Sequence, residues 1–217
     1  MTIGLLKEPS FETRVSLLAE IVAAFTKKGI NVIVENGAGE RAYCSNEEYE
    51  KAGAQIKTRN EVLVAADLLL SIHLPDPAEI SGLKSKVLIG VFQPLYNAGT
   101  MKDWASKGVS SFSLDMLPRT TRAQSMDILS SQANIAGYKA VLTAANLYSR
   151  YFPMFMTAAG SIKPAKLLIL GAGVAGLQAI ATAKRLGAVV EVFDTRPAVK
   201  EEVMSLGAKF VEVEGAA

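Results

Sequence analysis

Cysteine occurs once in the 217 residues, at Cys44, and histidine once, at His73. One cysteine forms no internal disulfide, and no metal-ligand spacing surrounds it, so no bound metal is expected and a reducing, intracellular setting is the default. Charge of one sign is also missing. Lysine and arginine number 23 against 21 acidic residues, a formal net charge of +2, which provides no sequence-wide field for nucleic acid or an anionic membrane. The opening "MTIGLLKEPSFETR" has two acidic residues and no long apolar run, so neither a secretory nor a transit segment is expected. The longest uncharged run, Leu167 to Ala183, contains three glycines and a glutamine, which argues against a membrane span. No internal repeat or low-complexity tract appears. What the chain does have is apolar content, half of all residues, enough for a sizeable core.

The first half alternates short apolar runs with helical periods. "TIGLL", "NVIVE", "DLLLSIH", "KVLIGVF" and "VSSFSLD" read as strands. Between them, "RVSLLAEIVAAFTKKG" puts Val15, Leu18, Ile21, Val22 and Phe25 on one helical face and stops at Gly29. "SNEEYEKAG" offers Ser45 and Asn46 as caps, with Glu47 and Glu48 in the first turn, and "AGTMKDWASKG" reads as a further helix. This alternation predicts a parallel sheet with helices on its faces. From Ser125 to Tyr151 the pattern becomes one long proline-free helix, read as a spine joining two domains. Ala133, Ala136, Gly137, Ala140 and Ala144 form a stripe of small residues along it, which would admit another backbone.

A second α/β unit follows the linker "FPMFMTAAGSIKPA". The strand "KLLIL" runs into Gly171-Ala172-Gly173-Val174-Ala175-Gly176, which opens the helix "LQAIATAKRLG". The glycines allow a tight turn, close approach to a pyrophosphate and close packing of helix on strand. The helix N-terminus adds free amides and a positive dipole end. The next strand, "AVVEVF", ends at Asp194, eighteen residues beyond Gly176. A carboxylate there accepts hydrogen bonds from the adenosine ribose and repels a 2′-phosphate, selecting NAD(H) over NADP(H). Arg196 pulls the other way, since a guanidinium can accommodate the extra phosphate. "VKEEVMSLG" and "KFVEVEG" complete a β-α-β-α-β half, so the second domain is expected to be incomplete in this chain.

Ahead of the spine, "LPRTTRAQSMDILSSQANIAGYKAV" is rich in hydrogen-bonding groups: Arg119, Arg122, Gln124, Asp127 and Ser130. At helical spacing Gln124, Asp127 and Ser131 share a broad face near its start. Two readings stand side by side. Ser125 and Asp127 are helix-start residues with solvated arginines nearby, or the segment is a polar floor under a ligand.

"PRTTRAQSMDILSSQANIAGYKAV" followed by "TAAGSIKPAKLLILGAGVAGLQAIATAKRLGAVVEVFDTR" closely resembles the NAD(H)-binding component, domain I, of proton-translocating nicotinamide nucleotide transhydrogenases, and "IGLLKEPSFETRV" looks like a start shared with alanine dehydrogenases. The resemblance covers essentially the whole chain. It implies that Arg119, Gln124, Asp127 and Ser130 surround the nicotinamide ring, and that Gly171, Gly173, Val174, Gly176, Asp194 and Arg196 belong to the dinucleotide site. It further implies that Gln124 reaches towards an NADP(H)-binding component, with direct hydride transfer between the two nicotinamides. Membrane-spanning proton-channel subunits, a homodimer, and a peripheral place on the inner face of the cytoplasmic membrane come with the same resemblance. The competing reading is a soluble alanine-dehydrogenase-like enzyme, which needs a lysine and a histidine in the cleft. Ser71 stands where that lysine is expected, and "VFQPLYN" has no histidine. His73 reads as a strand-end residue with a local hydrogen bond, and Arg14 and Lys7 as ion-pair partners. The expected fold is thus two doubly wound, Rossmann-like α/β domains, 1–124 and 163–217, joined by a helix over 125–151, with the NAD(H) cleft between them.

Overall fold

The computed structural model describes residues 1–80 and 85–213, which divide into two compact units, Met1–Asp127 and Ile128–Ala217. The first contains β1 (Thr2–Leu5), α1 (Ala19–Thr26), β2 (Asn31–Glu35), α2 (Asn46–Lys51), β3 (Gln55–Lys57), α3 (Arg59–Ala65), β4 (Leu68–Leu70), α4 (Pro77–Ile80), β5 (Val87–Gly90), α5 (Ala98–Ser106) and β6 (Ser110–Ser113). Its strands run in the order β3-β2-β1-β4-β5-β6, every pairing parallel. That is the order of a complete doubly wound sheet, with its reversal between β1 and β4.

Covering both faces with helices explains the strand composition. Val32, Ile33 and Val34 are consecutive and all buried, as a parallel strand between two helical layers requires. Ile3, Leu5, Val32 and Val34 join Val22 and Tyr49 on one face. Leu6, Ile33, Val62, Leu69 and Leu88 join Trp104 on the other. Full burial of each such aliphatic side chain contributes roughly 1.5–3 kcal/mol. Gly4 sits within β1 because a Cβ there would lie 2.7 Å from Ala66 Cβ and 2.8 Å from Val62 Cγ1, so α3 packs directly on strand backbone.

Several local expectations hold. Ser45 accepts from Glu48 N while Glu48 reaches back to Ser45 N, a capping box that starts α2. Gly29 takes a φ of +76° just past α1, the left-handed position that favours glycine. Other expectations need correction. The edge strand β3, whose three residues carry too little periodicity to read, and helix α3, which opens on a Thr58–Glu61 capping box, were not predicted. Helix α1 begins only at Ala19, and Leu18 and Ile21 are exposed. Residues 6–18 instead form a loop beyond β1, tied down by side-chain bonds from Glu8 and Glu12.

The second unit contains α6 (Ile128–Leu147), the hairpin β7 (Phe155–Thr157) and β8 (Gly160–Ile162), β9 (Lys166–Leu170), α7 (Val174–Arg185), β10 (Val189–Phe193), α8 (Lys200–Ser205) and β11 (Lys209–Phe210). A parallel three-stranded sheet, β11-β10-β9, holds the core of Ile180, Ala183, Val190, Val192 and Val203. Glu214 and Gly215 of the predicted last strand, and the final residues of the 163–217 region, lie outside the described residues.

The long helix starts later than predicted. Residues Thr121–Met126 form 3-10 turns, and Asp127 has a ψ of 87°, which no α-helix accommodates. Gln124 and Asp127 therefore do not share a helical face with Ser131. The helix also ends earlier, at Leu147. Along it, Gly137 and Val141 are buried and Ala144 and Ala145 partly so, whereas Ala136 and Ala140 are exposed. The contact line thus runs through Gly137 and Val141, and only some of the small-residue stripe lies on it.

Candidate functional site

In the second unit the three glycines of the turn have three different surroundings. Gly171 has a φ of +94° and ends β9, a conformation that L side chains rarely adopt. At Gly176 a Cβ would sit 1.9 Å from the Gly171 carbonyl oxygen, so the first turn of α7 closes on the strand only without a side chain. At Gly173, the N-cap of α7, a Cβ would meet nothing within 4 Å, and no side chain caps the helix. One glycine bends, one packs, and one leaves open space in front of uncapped amides. In that open space an anion gains from backbone donors and the helix dipole.

Asp194 closes the same site from the end of β10. Its Oδ2 accepts from Ala172 N at 2.7 Å and its Oδ1 from Arg196 N at 2.8 Å. Arg196 adds Nε to Oδ1 and Nη2 to Oδ2, each at 3.1 Å. The Arg196 guanidinium first, and then the two backbone amides, hold the Asp194 carboxyl well below the usual carboxylate range. Its side chain is only 6% exposed while that of Arg196 is 61% exposed. Asp194 is therefore a fixed anion that pins the glycine turn through Ala172, and Arg196 folds onto it. The sequence spacing pointed to Asp194, but gave no sign that it bonds the turn itself.

The polar segment occupies separate elements. Arg119 and Gln124 are exposed, Arg119 before and Gln124 within the 3-10 turns. Asp127, half-buried, donates its amide to the Gln124 carbonyl at 3.2 Å, and half-buried Ser130 lies in the first turn of α6. Gly171, Gly173, Val174, Gly176, Asp194 and Arg196 all gather at the carboxyl ends of β9 and β10.

The first unit has a concavity of its own, and its lining includes Lys7, Ser71 and His73, which the sequence singled out when a dehydrogenase cleft was weighed. It has a volume of about 400 Å³ and lies beyond β1 and β4, lined by Lys7, Glu8, Glu35, Arg59, Ser71 and His73 among others. A doubly wound sheet opens there because the chain winds away in opposite directions from the two strands. Each of its carboxylates has hydrogen-bond donors. Glu8 is buried and accepts from Ile72 N at 2.6 Å and His73 N at 3.0 Å, and desolvation raises its carboxyl above the ordinary value. Glu12 takes Arg14 on both oxygens and His73 Nε2 at 2.8 Å. Arg14 foremost drives the Glu12 carboxyl far below the ordinary range. Arg59 bridges Glu35 and Glu79. Arg14 is the ion-pair partner expected, whereas the ring of His73, expected to bond locally at its strand end, bonds Glu12 from 61 residues away. Lys7 is not an ion-pair partner among the described residues; it enters the network through its backbone amide, which donates to Glu35. The signal available in sequence was Glu8 and Glu12 straddling the loop after an apolar strand. Among the described residues no group of histidine, cysteine or carboxylate side chains could hold a metal ion.

Comparison with known proteins accords with this architecture. Residues 4–136 match the family described as alanine dehydrogenase/PNT, N-terminal domain, and residues 140–217 match its C-terminal domain. The chain is 43% identical over 205 residues to NAD(P) transhydrogenase subunit alpha of Cereibacter sphaeroides, covering 94% of this chain and 39% of that protein. It matches the crystal structure of a transhydrogenase from Sinorhizobium meliloti with a TM-score of 0.92 and 48% identity, over 98% of this chain and 64% of that one. An L-alanine dehydrogenase structure matches more distantly, with a TM-score of 0.83 and 25% identity over 100% of this chain and 62% of that one. The chain spans 39% to 55% of the length of the first curated relatives it matches.

Proposed function

The chain belongs to the alanine dehydrogenase/PNT family, and from that premise we propose that it is the NAD(H)-binding component of a proton-translocating NAD(P) transhydrogenase. The observation that carries this reading is the glycine turn itself, open at Gly173, closed at Gly176 and fastened to Asp194. The residues present fit the cofactor: a Cβ-free approach to uncapped helix amides for a pyrophosphate, and a fixed carboxylate at the end of the next strand for ribose hydroxyls. When bound, the nicotinamide supplies the hydride chemistry. The chain's own share is binding and orientation.

Within that reading, Gly173, Val174 and the following amides hold the pyrophosphate. Asp194 takes the ribose. Because Arg196 is already forked onto Asp194, it presents no unneutralised cation for a second phosphate, which supports NAD(H) over NADP(H). Arg119, Gln124, Asp127 and Ser130 orient the nicotinamide end, with Gln124 directed to an NADP(H)-binding partner component. Direct transfer between two nicotinamides asks for positioning, and for no proton-transferring side chain. Membrane-spanning partner subunits couple the transfer to proton movement, the chain acts as a dimer, and it works at the inner face of the cytoplasmic membrane. Among the described residues, no helix is long and apolar enough to cross a membrane.

An amino-acid dehydrogenase would instead need a lysine and a histidine free to exchange protons with substrate. In the first unit Glu12 holds both His73 and Arg14, and the Ser71 hydroxyl donates to the His73 carbonyl at 2.9 Å. The test pairs two assays on the whole protein: hydride transfer from NADH to an NADP⁺ analogue with a soluble NADP(H)-binding component added, and alanine oxidation with NAD⁺ and no partner. Transfer without alanine oxidation is expected, and alanine oxidation alone would overturn the proposal. Gln124→Ala should keep NADH affinity within about twofold while slowing transfer at least about tenfold, as removal of an orienting group does.

A further inference from the structure

The long helix α6 meets the nucleotide turn at Gly137, a residue without a side chain. We infer that Gly137 is a positioning residue for NAD(H): its lack of a Cβ lets α6 seat against the start of α7 and so fixes where the amides from Gly173 to Gly176 point. The inference rests on the NAD(H) reading above and deepens it.

A Cβ built on Gly137 would lie 2.0 Å from the Ala175 carbonyl oxygen, 2.8 Å from its carbonyl carbon and 3.0 Å from its Cα. All three are backbone atoms between Gly173 and Gly176, so no rotamer change relieves the overlap. Either α6 withdraws or the turn moves. One helical turn before Gly137, Asn134 donates Nδ2 to Gln178 Oε1 at 3.2 Å. Gln178 Nε2 then meets Thr182 Oγ1 at 3.2 Å, and that hydroxyl donates to the Gln178 carbonyl at 2.8 Å. Helix α6 thus grips α7 by a backbone contact at its start and a side-chain chain farther along. Hydrogen bonds to a pyrophosphate tolerate a donor-acceptor range of only about half an ångström, so a displaced Ala175 carries its neighbouring amides out of reach.

A glycine inside a helix ordinarily gains stability when replaced by alanine. Gly99 in α5, with nothing within 4 Å of a built Cβ, represents that ordinary case. The sign of the effect at Gly137 is therefore informative.

The experiment measures dissociation constants of NADH, ADP and adenosine on the whole protein for wild type, Gly137→Ala, Asn134→Ala and Gly99→Ala, with near-UV circular dichroism and melting temperature beside them. Gly137→Ala is expected to weaken NADH and ADP by about tenfold or more while adenosine shifts less than about twofold, because only the first two carry the pyrophosphate held by the turn. Asn134→Ala should weaken NADH by about two- to threefold with an unchanged melting temperature, and Gly99→Ala should change none of the three. NADH and ADP bound by Gly137→Ala as by wild type, or equal losses for all three ligands, would overturn the inference. Should Gly137→Ala fail to fold, unchanged NADH binding in Asn134→Ala would overturn it in its place. Wild type that binds neither NADH nor ADP would bring down the NAD(H) reading itself, and the inference with it.

Discussion

The parallel sheets of the two units wind outward from their first strand in the same way, β1 to β2 to β3 and β9 to β10 to β11, yet the loops that leave that strand are opposite in character. After β9 come three glycines and no charge. After β1 come Lys7, Glu8 and Pro9, and the ion pairs of Arg59 with Glu35 and Glu79 line the crevice beyond. Close helix packing is achieved by a glycine in both, but at different places: Gly4 inside strand β1 under α3, and Gly176 inside helix α7 over Gly171. In the first unit the strand backbone yields and the loop is free to carry side chains. In the second the loop itself is stripped to backbone. The same winding therefore leaves an ionic crevice in one case and exposed amide donors in the other, which is why function is argued from loops and not from topology.

Exchanging the two glycine roles breaks the comparison most forcefully. Gly176→Ala should destabilise the second unit by about 1–3 kcal/mol, as overpacking does, and abolish NADH binding. Gly4→Ala should destabilise the first unit by a similar amount of about 1–3 kcal/mol and leave NADH affinity of the folded fraction unchanged. Calorimetry with NADH titration on both variants checks this, and loss of binding in the two alike would erase the distinction.

Asp194→Asn comes next. The amide side chain keeps the shape but gives up one acceptor and the charge, so NADH affinity should fall by about tenfold and discrimination against NADPH should narrow, as read by fluorescence titration of both nucleotides. Since the Asp194 carboxyl is held below the ordinary range, binding should be flat between about pH 5 and pH 8 as far as this group is concerned, and weaken only in stronger acid.

The smallest effect is expected in the charged loop after β1. Glu12→Gln removes a charge that Arg14 and His73 share, and half-exposed Arg14 limits the loss to about 1 kcal/mol at neutral pH. Because the folded carboxyl lies below the ordinary value of 4.5, its contribution is present above that value and disappears as pH falls through the folded one. The gap between wild-type and variant melting temperatures should accordingly close in strong acid. Glu8 acts in the opposite sense: its carboxyl is raised by burial, so its contribution is present below the ordinary value and fades as pH rises through the folded one.

Much of this was legible in the chain before any coordinates. The turn from Gly171 to Gly176, the strand before it and the acid after it lie in one contiguous stretch. Backbone sterics and hydrogen-bonding capacity there depend on neighbours in the chain, and those neighbours are visible. A cap at Ser45 and the Gly29 stop were readable for the same reason. The edge strand β3 was not, because three residues carry too little periodicity, nor was the late start of α1, because the loop before it is held by bonds from Glu8 and Glu12 to residues more than 60 positions away.

Residue type and spacing along the chain thus settled that there is a nucleotide turn and an α/β framework around it. Folding alone settled the order β3-β2-β1-β4-β5-β6, the joining of Glu12 to His73 across 61 residues, and the meeting of Gly137 with Ala175. Such contacts depend on how layers stack, and a stacked layer brings together atoms whose separation along the chain carries no trace of their nearness.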